Sequence, residues 1–223
     1  MNTQVMMMNS TIKVYTIGPD GGYSRPIHNK LMVNRLQDAD VVVLTGGADV
    51  DPSTYNRKNL ASYGDKYRDL YEISQYRKIR PNQVVLGTCR GAQLLTILNG
   101  GNLVQDVTNH GLWGTHNMID KDGNQFEITS LHHQMCYPFD IPKENYDLLM
   151  VSAPSRSDRY VGDGIDEAKI IENGEPELIV YKTPGHPISV AIQGHPEMMD
   201  KECDTVIMLN ELIKKCMYEA KRR

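Results

Sequence analysis

Long apolar runs are scarce in this chain, and none approaches the length of a membrane-spanning helix, so no membrane insertion is expected. Charge of one sign is lacking too. Twenty-four Lys and Arg stand against 28 Asp and Glu, a formal net charge of -4, which offers a polyanion little footing, so no nucleic-acid partner is expected. The basic end Lys221, Arg222, Arg223 reads as the complement of a helix C-terminus. Residues 1–10 have no basic start, no adequate apolar core and no small-residue cleavage site, so no export signal is expected. Cysteine is sparse: the four, at 89, 136, 203 and 216, show no close pairing and no CxxC spacing, which suits free thiols in a reducing, cytoplasmic setting. No internal repeat or low-complexity segment is present. The methionines at 6 to 8 read as a leader or as the beginning of the first strand.

What is present fits one α/β domain spanning residues 1–223, long enough to bury a full core. Its most informative stretch is Gly87, Thr88, Cys89, Arg90, Gly91, between the apolar run Val84 to Leu86 and the periodic stretch Ala92, Leu94, Leu95, Ile97, Leu98, which Asn99, Gly100 and Gly101 stop. Strand, sharp turn and helix in this order form a nucleophile elbow, in which the central residue is strained and the flanking backbones pass too closely for larger residues. Cys89 then sits at a helix N-terminus, which favours the thiolate over a thiol that ordinarily titrates near about 8.5. Glycine turns of this kind also bind phosphates without any nucleophile, and a buried cysteine can be an inert hydrophobe. The local pattern leaves these readings open.

Along the chain, Lys13 to Ile17 reads as a first strand, His28 to Gln37 as helical, Asp40 to Leu44 as a buried strand running into Thr45, Gly46, Gly47, and Tyr67 to Ile79 as a helix stopped by Pro81. Such alternation predicts a parallel sheet. Leu103 to Ser130 reads as short strands, Ser152 to Asp166 as a surface loop near the site, and Glu177 to Tyr181 with Ile188 to Gln193 as a hairpin turning at Pro184 to Pro187. A last helix over Lys201 to Ala220 is predicted to bury Val206, Leu209, Ile213, Cys216 and Met217.

A cysteine nucleophile needs a base, and the base needs an orienting group. Of seven histidines, His195 follows the apolar strand Ile188 to Ile192 at once, and Glu197, two residues on, points the same way, so one imidazole nitrogen meets Glu197 while the other faces Cys89. The alternative is a turn histidine followed by a helix-capping glutamate. The adjacent His132 and His133 are expected on opposite faces. Histidines 110, 116, 132 and 133 lack cysteine partners and show no recognised ligand spacing, so no metal site is expected. Backbone amides of Arg90 and of the Gly46, Gly47 pair are placed to hold an oxyanion, although a glycine pair is also an ordinary tight turn.

Taken together, TGGADVDP (45–52) with Tyr55, the Arg68, Asp69, Glu72 pattern, GTCRGAQ (87–93), GGNLVQDV (100–107), SLHHQ (130–134) and QGHPE (193–197) resemble the class I glutamine amidotransferase superfamily, and within it the gamma-glutamyl hydrolase branch, peptidase C26-like. The resemblance implies a three-layer, flavodoxin-like fold with a mostly parallel central sheet and helices on both faces. It implies a Cys89, His195, Glu197 triad that attacks a gamma-glutamyl amide through a thioester, backbone amides of Gly47 and Arg90 at the oxyanion, and a glutamyl moiety held by Gln93 and by Ser130, Leu131, His132 and His133. The substrate is then a small gamma-glutamyl compound, and the reaction needs neither metal nor organic cofactor.

Two positions depart from the family pattern. Thr88 stands where an apolar residue is usual, and Gly194 replaces a bulky aromatic before the histidine, which is expected to open space beside His195, as either a wider leaving-group pocket or a less rigidly packed histidine. Asp49, Asp51, Tyr55 and Arg156 are candidates to contact that amine, or are solvated turn residues. Two further functions stay open: an ammonia-supplying subunit docking onto a separate synthetase, and a non-catalytic binding module. Surface helices leave a homodimer open as well.

Overall fold

A computed structural model describes residues 10–223. The methionines at 6 to 8 lie outside the described residues. In chain order the elements are β1 (Ile12–Ile17), β2 (Lys30–Met32), β3 (Val41–Leu44), α1 (Lys66–Tyr76), β4 (Val84–Thr88), α2 (Arg90–Leu98), β5 (Asn102–Val104), β6 (Asp106–Val107), β7 (Thr115–Asp120) and β8 (Gln125–Thr129). They continue with β9 (Met135–Tyr137), β10 (Tyr146–Ala153), β11 (Tyr160–Val161), α3 (Glu167–Asn173), β12 (Pro176–Tyr181), β13 (Ile188–Ile192) and α4 (Asp204–Ala220).

A nine-stranded sheet runs in the order β2-β1-β3-β4-β13-β12-β10-β7-β8. Its first five strands are parallel, and β12, β10, β7 and β8 extend it by antiparallel pairing. The centre is parallel because VVVL in β3 and the Val84–Leu86 run of β4 are apolar on both faces, which requires cover on both sides. Alternate residues divide between two cores. Val41, Val43, Val84, Leu86, Val190 and Ile192 pack with Leu209, Ile213, Cys216 and Met217 of α4. Val42, Leu44, Val85 and Ala191 pack with Ala92, Leu94 and Leu95 of α2 and Tyr76 of α1. These are the three layers. Towards the β8 edge the sheet turns one face to solvent, and β7 accordingly alternates exposed and buried residues over Thr115 to Met118.

Two local expectations are corrected. His28 to Gln37 is not helical: β2 pairs in parallel with β1 through Ile12 and Lys30, and Leu36–Asp38 forms a short 3-10 turn. A weak helical period yields here to the unpaired edge of β1, whose Val14 carbonyl accepts the Val33 N–H at 2.9 Å. The stretch 152–166 is not loop throughout, since β10 runs into it and β11 pairs Tyr160 with Val107 of β6. The Glu177 to Gln193 hairpin is observed, with Tyr181 opposite Ser189, and α4 buries the five predicted side chains. Among the described residues no helix is long and apolar enough to cross a membrane.

Candidate active site

Cys89 sits between β4 and α2 with φ 51° and ψ -112°, a backbone conformation that costs an L-residue about 1–3 kcal/mol. Neighbouring hydrogen bonds hold it there. Its N–H donates to the Ile192 carbonyl at 2.9 Å, carrying the β4–β13 pairing into the elbow, and its carbonyl accepts the Gln93 N–H at 3.1 Å to open α2. The flanking glycines are required by close approach: a Cβ at Gly87 would lie 2.5 Å from the Gly91 carbonyl oxygen, and one at Gly91 would strike the Leu44 carbonyl.

Ile192 ends β13, and three residues later His195 caps a short 3-10 turn over Pro196–Met198. The His195 N–H is held by Thr129 Oγ1 of β8 at 2.8 Å, and Nδ1 lies 2.7 Å from Glu197 Oε1. The Cys89 thiol is the other group that acts on the imidazole and raises its proton affinity, so the three side chains influence one another in sequence. All three are buried. Burial opposes the charged imidazolium, but the hydrogen bonds to Cys89 and Glu197, with their negative charge, outweigh it and raise His195 to about 10.

Tyr23, which sequence reasoning left inside an uninterpreted loop, completes the wall. Its ring centroid is 6.3 Å from that of His195, and an added Cβ at Gly46 would meet its hydroxyl at 2.6 Å and His195 Cε1 at 3.2 Å. Burial, then the negative charges of Glu197 and Cys89, raise the Tyr23 hydroxyl. The available signal was a Gly-rich loop after the first strand, since ligands gather at the carboxyl ends of parallel strands. An open cavity of about 500 Å³ extends from Tyr23 and Gly46 towards Thr45, Arg68 and Tyr71.

Arg68, Asp69 and Glu72 form the scaffold of the elbow. Arg90 is fully buried and paired with both Asp69 and Glu72, while Arg68 holds Glu72 at 2.8 Å and donates to the Gly46 carbonyl at 2.8 Å. Helix α1 thereby fixes the residue after Cys89 and the glycine pair at the end of β3. Gly47 adopts φ 139° with the Arg68 guanidinium packed where a side chain would stand.

The remaining sequence candidates divide. Gln93 donates to the Gln134 carbonyl at 3.0 Å, Ser130 to the His110 carbonyl at 2.7 Å, and His132 bonds the Gln134 carbonyl at 2.8 Å, so these buried groups organise the SLHHQ segment itself. Leu131 and His133 are the more accessible, the latter bonded to Asp49 at 2.8 Å. His132 and His133 take opposite environments as expected. Burial, then the neighbouring His110, push His132 well below its ordinary value, while the Asp49 hydrogen bond raises His133. Asp51 caps the following 3-10 turn through Ser53 at 2.8 Å, and Arg156 binds the Asn109 carbonyl at 2.8 Å.

Residues 25–137 match the Peptidase C26 family, and a glutamine amidotransferase-like protein of Lactococcus lactis, YvdE, is 42% identical over 186 residues, 74% of this chain and 68% of that protein. The chain belongs to the peptidase C26 family. Its fold is shared by a Thermoplasma acidophilum protein assigned to GMP synthase, with TM-score 0.60, 15% identity and coverage of 96% of this chain and 98% of that one. A Thermotoga maritima glutamine amidotransferase gives TM-score 0.52 and 14% identity over 95% and 97%. The C26 segment thus takes in β3, the elbow and the whole SLHHQ segment, and the glutamine amidotransferase fold covers nearly all of the chain.

Proposed function

We propose that this C26 protein hydrolyses the gamma-glutamyl amide bond of glutamine or of a gamma-glutamyl amine, with Cys89, His195 and Glu197 as its catalytic triad. The observation that carries the reading is a cysteine held at positive φ on a strand-to-helix turn, acting on an imidazole whose Nδ1 is hydrogen-bonded to a buried carboxylate. A sulfur so placed attacks the amide carbon, and the carbonyl oxygen takes the electron pair. Backbone N–H groups of Arg90, at the start of α2, and of Gly47 receive that charge. His195 is raised to about 10 and therefore carries a proton at neutral pH; it gives this proton to the departing nitrogen as the C–N bond breaks, leaving a thioester. Now neutral, His195 takes a proton from water, which attacks the thioester and releases glutamate as the C–S bond breaks. Glu197 keeps the ring oriented throughout. The acyl group is small, and the SLHHQ segment with Gln93 shapes its pocket while the cavity beside Tyr23 and Arg68 takes the leaving amine.

Incubating purified protein with glutamine and a panel of gamma-glutamyl amines, and reading glutamate release, tests this. At least one should turn over in wild type and not in Cys89→Ala; equal behaviour of the two proteins with every substrate ends the reading. Likeness of fold to a protein assigned to GMP synthase supports a second reading, in which the chain supplies ammonia to a separate synthetase. Glutaminase activity that rises only with a co-purifying chain favours it, and a constant rate disfavours it. A non-catalytic module is separated from both by a glutamine-mimicking diazo-ketone, which labels Cys89 only if the thiol is activated.

A further inference from the structure

A second concentration of buried ionisable groups lies in the antiparallel half of the sheet. His110 lies between β6 and β7, His116 on β7, His132 between β8 and β9, Glu175 just before β12, and Glu177 on β12. The His110 and His132 rings are 4.7 Å apart, and His110 and His116 5.6 Å. Apart from His132, which belongs to the SLHHQ segment, none of these side chains enters the chemistry above.

The hydrogen bonds around the cluster fix where its protons are. Glu175 accepts from the Arg156 and Ser157 N–H groups and the Tyr160 hydroxyl, and its Oε2 is 2.9 Å from His110 Nε2. A carboxylate used in this way only accepts, so His110 donates from Nε2 and Nδ1 keeps its lone pair. His132 Nδ1 faces the Gln134 carbonyl at 2.8 Å, another acceptor, which leaves the lone pair on Nε2. Glu177 spends Oε1 on His116 Nε2 at 2.7 Å and keeps Oε2. Among the described residues His110 Nδ1, His132 Nε2 and Glu177 Oε2 have no hydrogen-bond partner, although their side chains are at least nine-tenths buried. His110, His132 and Glu177 each bring one ligand atom within 4.8 Å of the others. Three buried polar atoms without a hydrogen-bond partner thus lie in one cluster, with His110 Nδ1 3.9 Å from Glu177 Oε1, and desolvated acceptors favour a positive centre.

We propose that His110, His132 and Glu177 bind a divalent cation of the zinc class, with a water as fourth ligand. Two imidazole nitrogens and one carboxylate oxygen suit zinc, whereas calcium and magnesium favour all-oxygen shells. The outer bonds from His110 to a carboxylate and from His132 to a carbonyl are those that orient metal-bound histidines and fix their tautomers. The Glu175 and Glu177 carboxylates balance the charge of a dication. Its role is to tie β12 to the connections on either side of the β7–β8 hairpin, and so to fix the SLHHQ segment. Sequence spacing gave no metal site because the ligands come from segments that only the strand order brings together.

Protein dialysed against a chelator, then desalted, is titrated with Zn2+ in competition with a chromophoric zinc chelator. The expected result is one zinc per chain, with a rise in Tm on zinc addition. Cys89→Ser, which removes the competing thiol ligand, should keep that zinc; Glu177→Gln and His132→Ala should lose it, with folding checked by circular dichroism. If His132→Ala fails to fold, Glu177→Gln, which preserves volume, decides. Wild type without stoichiometric zinc, undiminished binding in Glu177→Gln, or loss of zinc in Cys89→Ser overturns the proposal. The outcome is separate from the hydrolase reading, because the Cys89→Ser arm binds metal whether or not wild type turns over substrate.

Discussion

His195 and His132 are both almost excluded from solvent, at 6% and 4% exposure, yet their proton affinities move in opposite directions. Burial works against the imidazolium in each case. At His195 it is overcome by a thiol on one ring nitrogen and a carboxylate on the other; at His132 the bond to the Gln134 carbonyl raises the ring too weakly to offset burial and the other histidines. The neighbours, supplied by strand order and turn geometry, decide which buried histidine holds a proton. The parallel half of the sheet therefore stores a proton beside a sulfur, and the antiparallel half stores lone pairs.

The sharpest way to break this contrast is Cys89→Ala. It should lower glutamate release by at least about 10³-fold, and it also removes one of the groups holding the proton on His195, so NMR titration should find the ring below about 10. A ring that stays there would assign the whole shift to Glu197. Glu197→Gln comes next, with a loss of about 10²- to 10⁴-fold. Since the protonated ring is the donor to the leaving amine, the rate of wild type should fall as pH rises through about 10. Weakening the carboxylate partner moves that limb to lower pH in a pH–rate profile.

Arg90 extends the comparison to a buried charge paired with two carboxylates. Arg90→Met takes the buried Asp69 carboxylate's ion pair away and leaves Glu72 to Arg68 alone, and should cost about 3–5 kcal/mol in denaturant unfolding. The smallest change in stability is expected from Cys89→Gly, which relieves positive φ and should gain about 1 kcal/mol, its activity being lost as in Cys89→Ala. Loss of stability there would mean that the sulfur contributes more to packing than the backbone spends on its strain.

The elbow and the central strands were legible because local physics fixes them: an apolar run covered on both faces, glycines where backbones nearly touch, and a periodic stretch with a stop. His195 and Glu197 do meet, but across a 3-10 turn that begins after β13 has ended at Ile192, so the two-apart rule of a strand is not what aligns them. By contrast, β2 is held by an edge 18 residues away in the chain, Lys30 standing beside Ile12, and its exposed Leu31 and Met32 mimic a helical period. Tyr23 reaches His195 across a loop whose path no residue pattern specifies. The histidine cluster left one faint trace, Glu175 and Glu177 two apart at the start of a buried strand, which is an uncommon place for carboxylates. Reading it required knowing that β7, β10 and β12 lie side by side.

The Cys89 N–H and the Ile192 carbonyl form the last rung shared by β4 and β13. The sulfur hangs from one side of that rung, and the ring follows three residues beyond the other. Nucleophile and base are thus measured off a common ruler, and a slip of one residue between these two strands would shift the imidazole by about 3.3 Å and turn its neighbours to the opposite side. The β8 margin takes part in that calibration, because its Thr129 Oγ1 holds the His195 N–H at 2.8 Å, so a change at this outer strand reaches the spacing on which turnover depends.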